Sequence, residues 1–287
     1  MLKQRIVTAV ILILGFSGIT IFLSSFLFTM FVSSVVLVAS WEWGAFVGLK
    51  NIRSRVGYLS VIVSIILGLC LLLGITPTTE SINLLGVLIT SGLGLLFWVM
   101  AFSILKNYPI NAERWNNKYK ILTMGILALL PAWVGLIQLK YLLAEGYLVL
   151  ALVAMVAAVD TGAYFAGKQF GHKKLASNVS PNKSWEGVWG GLGLCFLLNI
   201  VLIWVLNNYI QPLSALQIML LILSSLAVTF FDVIGDLFES MLKRNCHIKD
   251  SGALLPGHGG VLDRVDGLIA VIPSFVLIVL FALDGIE

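Results

Sequence analysis

The sequence predicts an all-α, polytopic integral membrane protein, a bundle of about nine transmembrane helices with its N-terminus in the cytoplasm. Three observations carry that expectation. Of the 287 residues, 59% are hydrophobic and 11% charged, where soluble domains carry about a quarter charged, and the mean hydropathy is +1.02. Apolar runs recur at the length of a bilayer crossing, roughly 20 residues. The few cations are distributed unevenly along the chain, in the way that sets orientation. A soluble enzyme and a disordered chain are excluded.

Taken in order, the runs place spans at Ile6–Leu23, Phe26–Val47, Gly57–Ile75, Leu84–Leu105, Ile121–Leu139, Gly146–Gly167, Val188–Leu206, Leu213–Phe238 and Gly267–Leu283. The first two are almost contiguous. From Ile6 to Leu49 the only charge is Glu42, and the stretch is too long for a signal-peptide core, so it reads as a helical hairpin retained in the membrane. Lys and Arg stay on the cytoplasmic side while carboxylates contribute little. With the N-terminus inside, the inner loops hold 17 of the 18 cations: Lys3, Arg5, Lys50, Arg53, Arg55, Lys106, Arg114, Lys118, Lys120, Lys168, Lys173, Lys174, Lys183, Lys243, Arg244, Lys249 and Arg264. Only Lys140 falls outside.

The net charge of +4 is therefore a topology signal, and no nucleic-acid partner is expected. Cys70, Cys195 and Cys246 form no CxxC pair and no even disulfide framework. Acids are sparse up to Gly146 and concentrated after it. The chain divides into a scaffold at 1–145, the expected region for homodimer contact or lipid access, and a catalytic region at 146–287.

Ionisable residues at membrane depth are costly, and so are functional candidates. Asp160 lies within the sixth span; Asp232, Asp236 and Glu239 lie at the inner end of the eighth, stepping by four and three on one helical face. Carboxylates so arranged repel one another unless a cation sits among them. A second pair, Asp263 and Asp266, opens the last span, where the helix dipole favours negative charge. Between the two lies a polar loop with Ser240, Lys243, Arg244, Lys249, Asp250 and His258, followed by Gly259 and Gly260. Paired glycines let backbone amides approach a phosphate. Carboxylates that hold Mg²⁺, beside lysines and arginines that neutralise phosphates, are the equipment of phosphoryl or nucleotidyl transfer.

The segment Ser180–Gly187 adds Lys183 and Ser184, able to grip a phosphate or a lipid head group. Gly162–Lys168 spells GxxxxGK, but Gln169 replaces the required Ser or Thr and no strand precedes it, so an ATPase is rejected. Gly167, Gly171, Gly187 and Gly191 read as helix-packing positions. Most tryptophans read as interfacial anchors, and Glu42, between Trp41 and Trp43, as an interfacial acid near the inner face, with a buried functional acid as the alternative.

The run SMLKRNCHIKDSGALLPGHGGVLDRVD, Ser240–Asp266, resembles the signature of phosphatidate cytidylyltransferases, also called CDP-diacylglycerol synthases. Matching positions are the Ser, the Lys-Arg pair, the Lys-Asp pair, the His-Gly-Gly and the Asp-Arg-x-Asp. The similarity extends upstream through Glu239 and Asp236, the PNKSWEG loop and the DTGAYFAGKQFG segment, from about Asp160 onward. The resemblance implies condensation of CTP with phosphatidate to CDP-diacylglycerol and pyrophosphate, with Mg²⁺ and a monovalent cation, typically K⁺. It implies a Mg²⁺ centre of Asp236, Asp263 and Asp266, with Glu239 and Asp232 as further ligands or ligands of the monovalent ion. It gives Lys243, Arg244, Lys249 and Arg264 to phosphate binding, and His258, Gly259 and Gly260 to the triphosphate. Lys183, Ser184 and Asp160 complete the pocket, with Ser240 and Asp250 beside it. The expected setting is a bacterial inner membrane, with membrane lipids around the chain and the active site facing the cytoplasm. Competing expectations are an ion-coupled transporter and a CTP-dependent enzyme acting on another lipid phosphate or a polyprenol.

Overall fold

The structure, a computed structural model, describes residues 2–49, 51–255 and 259–283, with side chains from Val10 onward. Its long helices follow the apolar runs. They are α1 (Leu2–Phe22), α2 (Ser25–Trp43), α3 (Ile52–Leu73), α4 (Leu84–Lys106), α6 (Lys118–Leu142), α7 (Tyr147–Phe170), α8 (Trp185–Val205), α9 (Ala215–Asn245) and α10 (Leu262–Ala282), with a short α5 (Ala112–Trp115). Among the described residues eight helices are long and apolar enough to cross a membrane, and the apolar part of α1, Val10–Phe22, is shorter. The protein is a polytopic all-α membrane protein.

Helix starts are written locally. A helix's first amides lack intrahelical acceptors, and Ser24, Asn51, Asn83, Asn117, Ser184 and Ser214 each accept from one as the cap of α2, α3, α4, α6, α8 and α9. Helix α10 begins at Val261 with no side-chain cap of its own.

Helix α6 is the most enclosed of the described spans and packs against α2, α4 and α10. Two prolines make this possible at one point: Pro131 of α6 and Pro273 of α10 both press on Gly94 of α4, where a Cβ would stand 2.5 Å and 3.0 Å from them. The outer surface is apolar, with Leu71, Leu72, Leu96 and Phe281 among many exposed side chains, as a lipid-facing surface requires. Packing crosses the 145/146 division, since α10 packs against α6 and α4 as well as α9.

Cross-links tie the cation-bearing loops together at one end. Trp43 Nε1 donates to Ile121 O (2.9 Å), Tyr58 Oη to Leu122 O (3.2 Å), Asn245 Nδ2 to Asn116 Oδ1 (2.9 Å) and Cys246 Sγ to Phe46 O (2.6 Å). At the other end Lys140 is fully buried and donates to Thr20 O (2.6 Å) and to Ala144 O. The single cation outside the inner loops is thus a staple between α1 and α6.

Three sequence expectations change. Trp43, Trp115 and Trp133 are buried within the protein, Trp133 Nε1 donating to Ser33 Oγ at 2.9 Å, so they are packing residues and not interfacial anchors; Trp185 and Trp189 remain exposed. The segment before α8 is an antiparallel hairpin, β1 (Lys174–Ala176) with β2 (Ser180–Ser184). Helix α9 runs seven residues past its expected end and carries Glu239, Lys243 and Arg244 as helix.

Candidate active site

Close contact between glycines brings the acids together. On α9 and α10, a Cβ at Gly235 would run into the Asp266 carbonyl and stand 3.0 Å from the Gly267 Cα, and a Cβ at Gly267 would run into Asp232 Oδ1. Backbones that close set Asp232, Asp236 and Glu239, which spacings of four and three put on one face of α9, beside Asp263 and Asp266. A second close pair is α7 with α8. Gly162 meets the Gly190 carbonyl, Gly191 meets Val159 O and Gly187 meets Ala163 O. A Cβ at Gly167 would stand 3.4 Å from Ser184 Oγ, and one at Gly171 2.8 Å from it. This pair delivers Asp160 to the same place and leads the hairpin over it.

The result is a cavity of about 360 Å³, lined by Asp160, Asp232, Asp236, Asp250, Asp263, Asp266, Lys243 and Arg264. Lys183 Nζ reaches in from β2 to Asp236 Oδ2 at 2.5 Å. Burial works against the Lys183 ammonium, but the Asp236 carboxylate, with Asp232 and Asp266, outweighs it and holds its pKa above the ordinary lysine value. Lys243 Nζ pairs with Asp263 Oδ1 at 2.7 Å and stands 3.5 Å from Glu239 Oε1. Ser240 Oγ donates to Asp236 Oδ1 at 3.2 Å.

Asp263 holds the signature loop as well as facing the cavity. Its Oδ2 accepts from Ser251 N (2.9 Å), Ser251 Oγ (3.0 Å) and Gly260 N (2.8 Å). Gly259 adopts φ +84 beside it, in the left-handed region where only glycine is free of strain. Other expected residues are employed differently. The hydroxyl of Ser184 caps α8, accepting from Gly187 N at 3.2 Å. Arg244 Nε donates to Val179 O at 3.4 Å, tying α9 to the hairpin. Lys249 is exposed and does not line the cavity. His258 lies outside the described residues.

Glu42 was read from sequence as an interfacial acid. It is instead buried, accepting from Val261 N at 3.0 Å and Leu262 N at 2.8 Å. The signal that pointed to it was its isolation, one acid in a long uncharged stretch of membrane-spanning sequence.

Whether the donors suit a divalent cation is testable on the groups themselves. The set is all carboxylate, hard oxygen ligands of the kind Mg²⁺ takes, and acids outnumber the cations Lys183, Lys243 and Arg264. Buried Glu239 lies 3.5 Å from the Lys243 ammonium and makes no closer hydrogen bond, so its oxygens keep capacity for a further partner. Among the described residues no group of three His, Cys, Asp or Glu is arranged to enclose an ion. Mg²⁺ does not need such a cage, because it keeps several waters and is bound by one or two carboxylates together with substrate phosphates.

Carboxylates and amines gathered at one end of a helical membrane bundle define a membrane enzyme that handles phosphate groups. The chain belongs to the cytidylyltransferase family, whose model matches residues 3–282. It is 40% identical over 276 residues to the phosphatidate cytidylyltransferase of Pseudomonas aeruginosa, covering 96% of each chain. To that of Haemophilus influenzae it is 35% identical over 296 residues, covering 99% of this chain and all of the relative. To that of Staphylococcus saprophyticus it is 31% identical, covering 95% and 96%. It is a nucleotidyltransferase.

Proposed function

We propose that the protein condenses CTP with phosphatidate to give CDP-diacylglycerol and pyrophosphate, at the cytoplasmic face of a bacterial inner membrane. What supports this reading is the carboxylate-lined cavity flanked by Lys183, Lys243 and Arg264, in a chain matched over nearly its whole length by relatives bearing that name.

In the reaction a phosphatidate oxygen attacks the α-phosphorus of CTP as the bond to the β,γ-pyrophosphate breaks. The attacking group is already anionic, so no serine or cysteine intermediate is needed, and the work of the site is alignment and charge neutralisation. Lys183, from the hairpin, pairs with Asp236, and Lys243, from α9, with Asp263; the two are candidates to bind the two polyanions, with Arg264 at the cavity wall. Asp236, Asp263 and Asp266, with Asp232 beside them, are the carboxylates that would hold Mg²⁺, as all four line the cavity. Glu239 is the candidate ligand of a monovalent cation such as K⁺. When bound, Mg²⁺ supplies charge neutralisation on the phosphates.

The purified protein in detergent is expected to release pyrophosphate from labelled CTP only when phosphatidate and Mg²⁺ are both present. Chelation should abolish the release and added Mg²⁺ restore it. Absence of phosphatidate-dependent release would overturn the reading, and release driven by a polyprenol in place of phosphatidate would redirect it.

A further inference from the structure

We propose that Glu42 is a positioning residue of the active site, a carboxylate supplied by the N-terminal half of the chain that fixes the first turn of α10. The catalytic part of the proposal rests on the cytidylyltransferase reading above, and the structural part stands without it.

Helix α10 carries Asp263, Arg264 and Asp266 in its opening turns, so the placement of that turn aims all three. Its N-terminus has no side-chain cap of its own, unlike α2, α3, α4, α6, α8 and α9. The acceptors come from 219 and 220 residues away in sequence: Glu42 Oε1 takes Val261 N–H at 3.0 Å and Oε2 takes Leu262 N–H at 2.8 Å. A carboxylate at this point meets both the unsatisfied amides and the positive end of the helix dipole.

The surroundings are shaped for that carboxylate. A Cβ at Gly252 would lie 2.5 Å from Glu42 Oε1, and one at Gly260 would lie 2.6 Å from Oε2. Ser251 Oγ donates to Asp263 Oδ2 at 3.0 Å and lies 3.4 Å from Glu42 Oε2, so its one proton is shared between the two carboxylates. One serine therefore touches both the clamp and the acid that the clamp aims. Glu42 is 5% exposed, so its charge is satisfied by these donors and not by water, and burial without them would be costly. Trp43, its neighbour, is anchored to the Ile121 carbonyl, which holds α2 in register with the central helix. The path runs from the core, through α2 and Glu42, to α10.

The test uses the full-length protein in detergent, with E42Q and E42D. Gln keeps the length of Glu, yet its amide places a donor against donors. Small displacements of catalytic groups cost up to about 100-fold in rate, so E42Q is expected to lower kcat at least roughly 10-fold. The KM for CTP and for phosphatidate should change less than kcat, since Lys183 and Lys243, the binding cations that lie outside α10, are not substituted. Amide exchange in a peptide covering residues 259–268 should accelerate, with exchange in α6 unchanged, and E42D should recover part of both effects. Unchanged kcat in E42Q would overturn the proposal, as would a loss of kcat with exchange at 259–268 unaltered. If E42Q does not fold, E42D decides alone: lowered kcat with faster exchange at 259–268 supports the clamp, and wild-type values of either refute it. If the wild-type protein shows no phosphatidate-dependent pyrophosphate release, the function fails while the exchange data still decide the clamp.

Discussion

Asp263 carries two tasks that pull a substitution in the same direction. Its Oδ1 neutralises Lys243 and its Oδ2 gathers Ser251 and Gly260. Asp263→Asn removes the charge beside Lys243 and places an amide among donors. Loss of an electrostatic group of this kind costs about 100-fold or more in kcat, and Lys243 is left with only Glu239, 3.5 Å away, which is expected to cost about 1–3 kcal/mol of stability. Turnover assays and thermal unfolding in detergent check the two separately, and near-normal turnover would remove Asp263 from the site. Lys183 is different, because it sits on a hairpin and holds Asp236 directly. Lys183→Gln is expected to raise the KM for CTP or phosphatidate by about 10-fold, and to lower the melting temperature because Asp236 loses its cation among neighbouring acids. The acids and lysines were legible from sequence because charge is expensive in a membrane. Their division of labour was not, because Ser184 as a cap and Arg244 as a tie to Val179 depend on which side chain reaches which backbone group.

At the scale of helices, the site depends on glycines that let backbones touch. Gly162 faces the Gly190 carbonyl with no room for a methyl group. Gly162→Ala is expected to cost about 1–3 kcal/mol through overpacking and to lower the unfolding temperature measured in detergent. Gly193→Ala, on α8 with nothing within 4 Å of the added Cβ, should not; equal shifts in both variants would refute the close-packing account. Spans were read to within a few residues, since the apolar runs that define them are also what the helices bury or show to lipid. Two things escaped that reading. The end of α9 is polar in sequence, yet it continues the helix, with Lys243 held by Asp263 of α10 and Arg244 by Val179 of the hairpin. The strands Lys174–Ala176 and Ser180–Ser184 are too short to show an alternating pattern.

For the molecule as a whole, the distribution of cations anticipated which loops meet at one end, and the cross-links Asn245–Asn116 and Cys246–Phe46 join those loops. The division of the chain into scaffold and catalytic halves was drawn from the scarcity of acids before Gly146. It missed that the one acid in the N-terminal spans, Glu42, reaches across to α10, because composition counts residues and does not see where each is pointed. Lys140 ran against the charge rule and is resolved by burial. Its ammonium replaces water with the carbonyls of Thr20 and Ala144, so in the folded protein it is not a loop charge. Lys140→Met leaves those carbonyls unpaired and is expected to loosen α1, read as faster proteolysis near residue 20 while α6 resists.

Helix α9 has 31 residues and so is about 46 Å long, whereas the hydrocarbon of a bilayer is about 30 Å thick. With the site at a membrane face, as proposed above, the surplus is expected on the end that bears Asp236 and Lys243, which would put the cavity at the level of the lipid phosphates. The helix would then act as a ruler between the far leaflet surface and the reacting groups. In vesicles of progressively longer acyl chains the plane of lipid phosphates rises past the cavity, so turnover should pass through a maximum with bilayer thickness.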